Sequence, residues 1–405
     1  MKILLVNPPF SRFFGLEQDY VPLSLLAVGS ALSADGYDVV VKNLEVDPKS
    51  GYRGYSSRIK DYNNYIDGVY NDDHPIWKEF REVLQKEAPD KVGISILNVK
   101  YKSAKKLISI VNEFGIKIMV GGFHPTLNEF IYGEEIEINK GEFEWESGRI
   151  QNLDSLSFPD YDILIDKYSP NGYAHLVTSR GCAFNCRFCA SSAMWGRKVT
   201  FKSVDRILEE MRDIENRFHS DYFTFWDETF TVNRKRILEF CSRYNLSADW
   251  SCETRADSID SELVKAMKDS GCVQMGVGIE SGVDRILDYI EKGESIKQFE
   301  QASIILNNRK MNWKAYFIAG FPEETEEDIL TSLNFIKSLS PTKIVLSIFT
   351  PYQGTSLFEE CCIDEDEIRY SHQSPYNYFS KKIERNRFKE LISSISKEID
   401  IYNGN

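Results

Sequence analysis

The chain has 405 residues, 42% hydrophobic and 27% charged, which is enough for two or three domains with separate cores. Its 62 acidic residues outweigh 49 basic ones, and the formal charge of −13 argues against a nucleic-acid or anionic-membrane binder working by bulk attraction. The 8 cysteines are too sparse for a disulfide scaffold, and no apolar run approaches the ~20 residues that span a bilayer. The apolar start, Ile3 to Val6, is ended by Pro8 and Pro9, so no signal peptide is expected. These features point to a cytoplasmic protein with reduced thiols and no transmembrane segment.

Residues 2–7 read as a buried strand, 22–35 as a helix that stops at Gly36, and 37–44 as a second strand. Strand, helix, strand with short links implies a parallel sheet. Residues 47–73 lose the pattern and read as a partly helical insertion, with tyrosines at 52, 55, 62, 65 and 70. A helix at 76–87, a strand at 91–97, a helix at 102–114 and a strand at 117–120 continue the alternation. The acidic stretch with Glu134, Glu135, Glu137, Glu142, Glu144 and Glu146 reads as a solvated face. Residues 149–170, with Pro159 and little periodicity, read as a linker. Strands are then expected at 175–179, 222–226, 250–254, 274–278, 314–318 and 343–349, with helices at 204–217, 234–244, 261–269 and 325–339. Six such units in a row predict a partial or full parallel barrel, whose functional groups belong at the C-terminal strand ends. The expected domains are 1–148, a linker 149–170, a barrel 171–356 and a short helical cap 357–405.

Three cysteines follow the first barrel strand: Gly181-Cys182-Ala-Phe-Asn-Cys186-Arg-Phe188-Cys189. A [4Fe–4S] cube has four irons, each normally held by one thiolate. Three cysteines on one tight loop would leave the fourth iron open to an outside ligand. A zinc site completed by His175 is the alternative, although zinc favours paired C-x2-C halves and no second half is present. The other cysteines, Cys241, Cys252, Cys272 and Cys361-Cys362, read as core or incidental residues.

This spacing, with the aromatic Phe188 before the third cysteine, resembles the radical SAM superfamily. The resemblance covers residues 170–360 and implies that the open iron binds S-adenosylmethionine (SAM), which is cleaved to methionine and a 5′-deoxyadenosyl radical. It further implies SAM-binding roles for Phe188, for Asp227 and Glu228 of Phe225-Trp-Asp-Glu-Thr-Phe230, for Glu253 and Arg255, and for Glu280 and Ser281 of Gly276-Val-Gly-Ile-Glu-Ser-Gly282. A carboxylate is the right chemistry for the SAM ammonium. Gly320-Phe-Pro-Glu-Glu-Thr325 and Thr350-Pro-Tyr-Gln-Gly-Thr355 match late-strand motifs of the superfamily. Tyr316, Trp313, Phe349 and Tyr352 read as pocket-lining or core aromatics, with Tyr316 and Tyr352 the weak candidates for a substrate pocket.

The first domain has no G-x-G-x-x-G after its first strand, so a dinucleotide reading is weak. Its order of Asn7-Pro8-Pro9, Ser95-Ile-Leu97 and Gly121-Gly122-Phe-His124-Pro-Thr126 resembles the cobalamin-binding domain of B12-dependent radical SAM proteins. Gly141-Glu142-Phe-Glu144 resembles that family's G-E-x-E element. The implied fold is a Rossmann-like, doubly wound α/β sheet of cobalamin-binding type, followed by a partial (β/α)6 radical SAM barrel. The implied cobalamin contacts are Asn7, Pro8, Pro9, Ser95, Leu97, Gly121, Gly122, His124 and Thr126. Residues 11–20 lack the D-x-H-x-x-G histidine, so no histidine lower ligand to cobalt is expected from that loop. Arg12, Phe13 and Tyr20 are the loop side chains available to face the corrin.

The resemblance implies a cobalamin-dependent methyltransferase. One SAM would methylate the cobalt, a second would supply the radical, and a substrate carbon radical would take the methyl group. A non-methylating rearrangement, cyclisation or oxidation by the same domains is the first alternative. A radical SAM enzyme without cobalamin, such as a sulfur-inserting one, is the second. The substrate is expected between the two domains as a peptide or protein side chain, a metabolite or a lipid. The electron donor is expected to be a ferredoxin or flavodoxin, and nucleic acid is not expected.

Overall fold

The computed structural model describes residues 1–16, 18–46, 55–128, 133, 135–141, 149–361, 372, 374 and 376–404, with backbone alone for 55–62. Glu134, Glu142, Glu144, Glu146 and Cys362, and with them most of the G-E-x-E element, lie outside the described residues. The chain forms two compact units, divided between Tyr173 and Ala174.

The strands of the first unit are β1 (Lys2–Asn7), β2 (Asp38–Asn43), β3 (Lys91–Ser95), β4 (Lys117–Gly121) and β5 (Glu137–Ile138). All pair in parallel, in the order β2-β1-β3-β4-β5. Four successive apolar residues of β1, Ile3 to Val6, are buried, as expected of a parallel strand covered on both faces. The helices are α1 (Leu23–Ala34), α2 (Tyr55–Tyr70), α3 (Pro75–Glu87), α4 (Tyr101–Glu113) and the short α5 (Phe123–Leu127). The insertion read at 47–73 contributes α2, whose Tyr65 is buried against Phe10 and Phe13, with ring centroids 4.9 and 5.5 Å apart. Phe13 is therefore core rather than a side chain free to face a ligand. Strand β5 escaped the sequence reading because two residues of an acidic run carry no periodicity.

The linker reading of 149–170 is corrected. Leu153, Tyr161 and Ile163 are buried, and Leu164 bridges Val41 of β2 in parallel. The Ile165 N–H donates to the Val41 carbonyl at 3.0 Å. Asp166 accepts the Asn43 N–H at 2.7 Å and pairs with Lys42 at 2.5 Å. The segment extends the sheet beyond β2. Its contacts are spaced irregularly along the chain, which is why it looked like a tether.

The second unit contains β6 (His175–Leu176), β7 (Ser179–Arg180), α6 (Ala190–Trp195), β8 (Thr200–Phe201), α7 (Val204–Phe218), β9 (Tyr222–Phe225), α8 (Arg234–Arg243) and β10 (Asp249–Thr254). It continues with α9 (Ser261–Asp269), β11 (Cys272–Glu280), α10 (Asp284–Tyr289), α11 (Ile296–Asn308), β12 (Asn312–Ala319), α12 (Glu326–Ser338), β13 (Lys343–Ile348), α13 (Ser356–Cys361) and α14 (Arg385–Tyr402). Six parallel strands run in sequential order, β6-β9-β10-β11-β12-β13, giving the partial (β/α)6 barrel. Caps fix the helix starts: Asp260 accepts the Glu262 and Leu263 N–H groups, and Thr325 and Asp328 form a reciprocal capping box. On β12 the sides alternate. Trp313, Ala315, Phe317 and Ala319 are buried, whereas Lys314, Tyr316 and Ile318 are partly open on the inner face. The expected C-terminal cap contains α14, which packs on β13 and α12 in the place of the sixth barrel helix. No helix among the described residues is long and apolar enough to cross a membrane.

Candidate functional site

The first barrel strand is cut short at Leu176, and the chain turns into the antiparallel pair β7–β8, which frames the cysteine loop. Asp227, at the end of β9, holds that turn. Its carboxylate accepts the Thr178 N–H at 2.9 Å, the Thr178 hydroxyl at 2.8 Å, and the Ser179 N–H and hydroxyl. Arg236 braces the same turn through the Thr178 carbonyl at 2.9 Å and hydroxyl at 2.6 Å. Both Asp227 oxygens are engaged inside the protein, so the geometry makes it a positioning residue for the loop. Glu228 is exposed, with its carboxyl pushed up by desolvation. Glu228 is thus the acid of this pair that an external ammonium can reach.

Cys182, Cys186 and Cys189 are free thiols, each half-buried. The Cys189 N–H donates to the Cys186 carbonyl at 3.1 Å, making the tight turn between them. Arg187 points away and clamps the loop, donating to the Tyr289 carbonyl at 2.9 Å and pairing with Glu360 at 2.6 Å. Burial works against the Glu360 charge, but Lys381, Tyr289 and Arg187 hold its carboxyl down at about 2. Burial pushes Cys189 up to about 11 and also raises Cys186, where Lys292 and Arg255 oppose it. Such thiols ionise readily only when metal takes the proton's place. Among the described residues, no three His, Cys, Asp or Glu side chains converge on a single ion. His175, the proposed fourth zinc ligand, packs against Trp226 with centroids 4.7 Å apart. The donor set fits a cluster in which each thiolate takes a different iron.

A charged layer lies beside the loop at the ends of β10 and β11. Arg255 is 3.5 Å from the Phe184 ring centroid and pairs with Asp257 at 2.8 Å and Glu294 at 3.3 Å. Lys292 pairs with both Glu280 and Glu294 at 3.3 Å. Glu280 has φ of +64°, a strained conformation for a non-glycine residue. A Cβ at Gly278 would lie 2.5 Å from Glu280 Oε1 and 2.9 Å from Lys292 Nζ, so the glycine makes room for the pair. Ser281 belongs elsewhere: its hydroxyl is 3.1 Å from that of Ser332 on α12. Phe188 packs on Phe321 at 5.7 Å. Tyr352 lies near Cys189, with burial and that thiol pushing its hydroxyl up to about 12.

Lys292 and Glu294 were missed from sequence. The only signal was a Lys-Gly-Glu triplet between two short helical patterns, indistinguishable there from a solvated turn. Glu253 stands outside this layer, hydrogen-bonded instead to Tyr316 at 2.7 Å.

In the first unit, the order β2-β1-β3-β4-β5 puts the topological switch between β1 and β3, where open sheets bind ligands beyond the strand ends. Asn7, Ser95 and the Gly121-Gly122 turn cluster at these ends. Gly122 has φ of +102°, and a Cβ there would sit 2.9 Å from the Ile96 carbonyl and 3.3 Å from Ser95 Oγ. The loop therefore approaches Ser95 as only glycine allows. The Thr126 hydroxyl ties this turn to Gly141, accepting its N–H at 2.9 Å. His124 is buried and stacked on Tyr101 at 4.2 Å, and burial lowers its imidazole to about 4. Asn7 is engaged internally: its amide donates to Asn43 at 2.8 Å and accepts from Lys100 at 2.9 Å. Pro8 and Pro9 are buried, and Leu97 is exposed. The glycine cradle and the half-open Ser95 fit a nucleotide tail laid along the strand ends.

Residues 176–336 match the radical SAM superfamily model. The chain carries a radical SAM domain. It is 29% identical to an uncharacterized methyltransferase of Pyrococcus horikoshii, over 89% of this chain and 83% of the relative. It is 27% identical to the anaerobic magnesium-protoporphyrin IX monomethyl ester cyclase of Cereibacter sphaeroides, over 74% of this chain and 48% of that one. Its fold matches the radical SAM methyltransferase TsrM from Kitasatospora setae, solved with cobalamin and a [4Fe–4S] cluster bound. That match has a TM-score of 0.69 at 14% identity, covering 97% of this chain and 90% of the other. The radical SAM domain thus coincides with the barrel that carries the cysteine loop.

Proposed function

We propose that the protein is a cobalamin-dependent radical SAM methyltransferase acting on an unactivated carbon. The observation that carries this reading is the conjunction in one chain of a sheet with its switch between β1 and β3 and a glycine cradle there, and a barrel headed by the C-x3-C-x2-C loop. When bound, the cluster with SAM would supply a carbon-centred radical and the cobalamin a transferable methyl group.

Cys182, Cys186 and Cys189 would hold three irons and leave the fourth for SAM. Glu228 would accept the SAM ammonium. Arg255 and Lys292 set a positive field beside Cys186, which favours thiolate over thiol and added negative charge over none. Glu280 is held by Lys292 at the layer's inner edge, where it offers a carboxylate to a ribose. Phe188, seated on Phe321, walls the cluster side against water. Gly121, Gly122 and Ser95 would receive the nucleotide tail of the cobalamin, with His124 turned inward onto Tyr101. A ferredoxin or flavodoxin in a reducing cytoplasm would supply the electrons.

Anaerobic reconstitution with methyl-labelled SAM tests this. The expected products are 5′-deoxyadenosine together with S-adenosylhomocysteine and a methylated product, from protein that shows a cobalamin spectrum. The likeness to a cyclase favours a second reading, in which the same domains cyclise or oxidise a substrate. That reading predicts 5′-deoxyadenosine without S-adenosylhomocysteine.

A further inference from the structure

Beneath the charged layer, the inner barrel face carries a second set of ionisable groups. Glu253 of β10 lies beside Gly276 of β11, and Gly276 lies beside Lys314 of β12. Tyr316, two residues along β12 from Lys314, shares its face. The Tyr316 hydroxyl donates to Glu253 Oε1 at 2.7 Å. Glu253 Oε2 is buried and has no hydrogen-bond partner, and the half-buried Lys314 makes no ion pair among the described residues. A Cβ at Gly276 would lie 1.8 Å from Glu253 Oε2 and 2.7 Å from the Tyr316 ring, so only glycine leaves room for these two side chains over the middle strand.

An unpartnered buried carboxylate oxygen is costly, and interiors rarely keep one without a ligand. The two groups feel one another, since Lys314 lowers the Glu253 carboxyl against the burial that raises it, but they do not meet. The Glu253 carboxylate reaches in over Gly276, and the Lys314 backbone lies one further strand spacing, about 5 Å, away. A negative and a positive group facing across such a gap match a small ligand that carries both charges. The patch lies two residues below Gly278 along β11, about 7 Å from the layer beside the cysteine loop.

We propose that this patch is the substrate anchor and that it takes the zwitterionic head of an amino acid, with the ammonium on Glu253 and the carboxylate on Lys314. Tyr316 is the positioning residue: its hydroxyl fixes Oε1 and turns Oε2 toward the ammonium. The proposal deepens the reading of the barrel as a radical SAM active site and rests on it. The substrate class it assigns is a free amino acid, in place of a peptide or protein side chain or a lipid.

The test uses cluster-reconstituted, SAM-loaded protein and calorimetric titration with the twenty L-amino acids. The best binder is then titrated as its amide, which lacks the negative charge, and as its N-acetyl form, which lacks the positive one. At least one amino acid is expected to bind, and each blocked form should bind at least about ten-fold more weakly. Glu253→Gln should weaken the free amino acid and the amide but leave the N-acetyl form unchanged. Lys314→Met should do the reverse. Tyr316→Phe, which keeps both charges, should weaken the ammonium-bearing forms by a smaller factor. Far-ultraviolet dichroism and iron content of each variant report its folding.

If wild-type protein holds iron and cleaves SAM but binds no amino acid, or if both charge variants bind as wild type does, the anchor is wrong. If Glu253→Gln abolishes SAM binding, the patch belongs to SAM and the proposal is likewise overturned. If wild-type protein neither holds the cluster nor cleaves SAM, the radical SAM reading itself fails.

Discussion

Both units collect polar side chains at the C-terminal ends of a parallel sheet, but the two collections differ in how they are satisfied. In the first unit, Glu45 is 0% exposed and pairs with Lys100 at 2.9 Å, while accepting the Phe10 and Arg12 N–H groups. Lys100 also donates to Asn7, and Asn7 to Asn43, which closes the network on itself. In the second unit, the Arg255–Glu294–Lys292–Glu280 chain borders a cysteine loop, an exposed Glu228 and the open pair Glu253 and Lys314. Position at a strand end does not separate scaffold from chemistry. Charge left without an ion-pair partner does.

The largest expected effect tests the second network. Cys186→Ala should remove the iron–sulfur absorbance and bring 5′-deoxyadenosine formation to the uncatalysed background, with the fold intact by circular dichroism. Retained SAM cleavage in this variant would sink the radical reading of the loop.

Next come the two buried lysines, which set the networks against each other. Removing one partner of a buried pair typically costs about 3–5 kcal/mol. Lys100→Met should therefore lower the denaturation midpoint strongly while leaving iron content per folded molecule unchanged. Lys292→Met should cost a comparable amount and in addition make the reconstituted cluster harder to reduce, since a buried cation near Cys186 is lost. A redox titration monitored by electron paramagnetic resonance reads the second effect. Equal potentials in the wild type and Lys292→Met would make both networks scaffolds.

Gly276→Ala probes the room over the middle strand itself. The new methyl group would meet Glu253 Oε2, and overpacking of this kind costs about 1–3 kcal/mol. Ala ordinarily suits a strand better than Gly, so the sign is informative. A stabilised variant in thermal denaturation would mean that the carboxylate had simply moved aside.

The sequence was most legible where chemistry and periodicity coincide. The N-P-P turn and the Gly121-Gly122 turn each sit at the end of a strand marked by an unbroken apolar run, and the C-x3-C-x2-C loop is marked by its own spacing. It was least legible where a residue's role depends on its neighbours in space. Asp227 and Ser281 look like ligand-binding residues in a motif, yet Thr178, Ser179 and Ser332, distant in sequence, take up their hydrogen bonds. Lys314 sits in a run that alternates as any barrel strand does, and only the register across Gly276 sets it opposite Glu253. The packed segment after residue 149 was misread for the same reason: its burial comes from one bridge to Val41 and scattered side chains rather than from a repeat.

The smallest expected effect concerns Glu324, which is buried and accepts the Gly320 and Phe321 N–H groups at 2.7 and 3.2 Å. Burial pushes its carboxyl up from 4.5 to about 8. The two N–H groups and Arg285 oppose that shift, and Asp328 adds to it. The folded state therefore holds a proton that the unfolded chain gives up, and the associated stability is fully present below about 4.5 and lost as pH rises through about 8. Glu324→Gln removes the titration but keeps an acceptor for the two N–H groups. Its melting temperature should fall less than that of the wild type between pH 6 and 9, by roughly 2–4 °C for each kcal/mol of linkage in a unit of this size. Because Phe321 carries the Phe188 ring, cluster retention in the wild type should decline over the same interval, and parallel slopes in the two proteins would detach Glu324 from both effects.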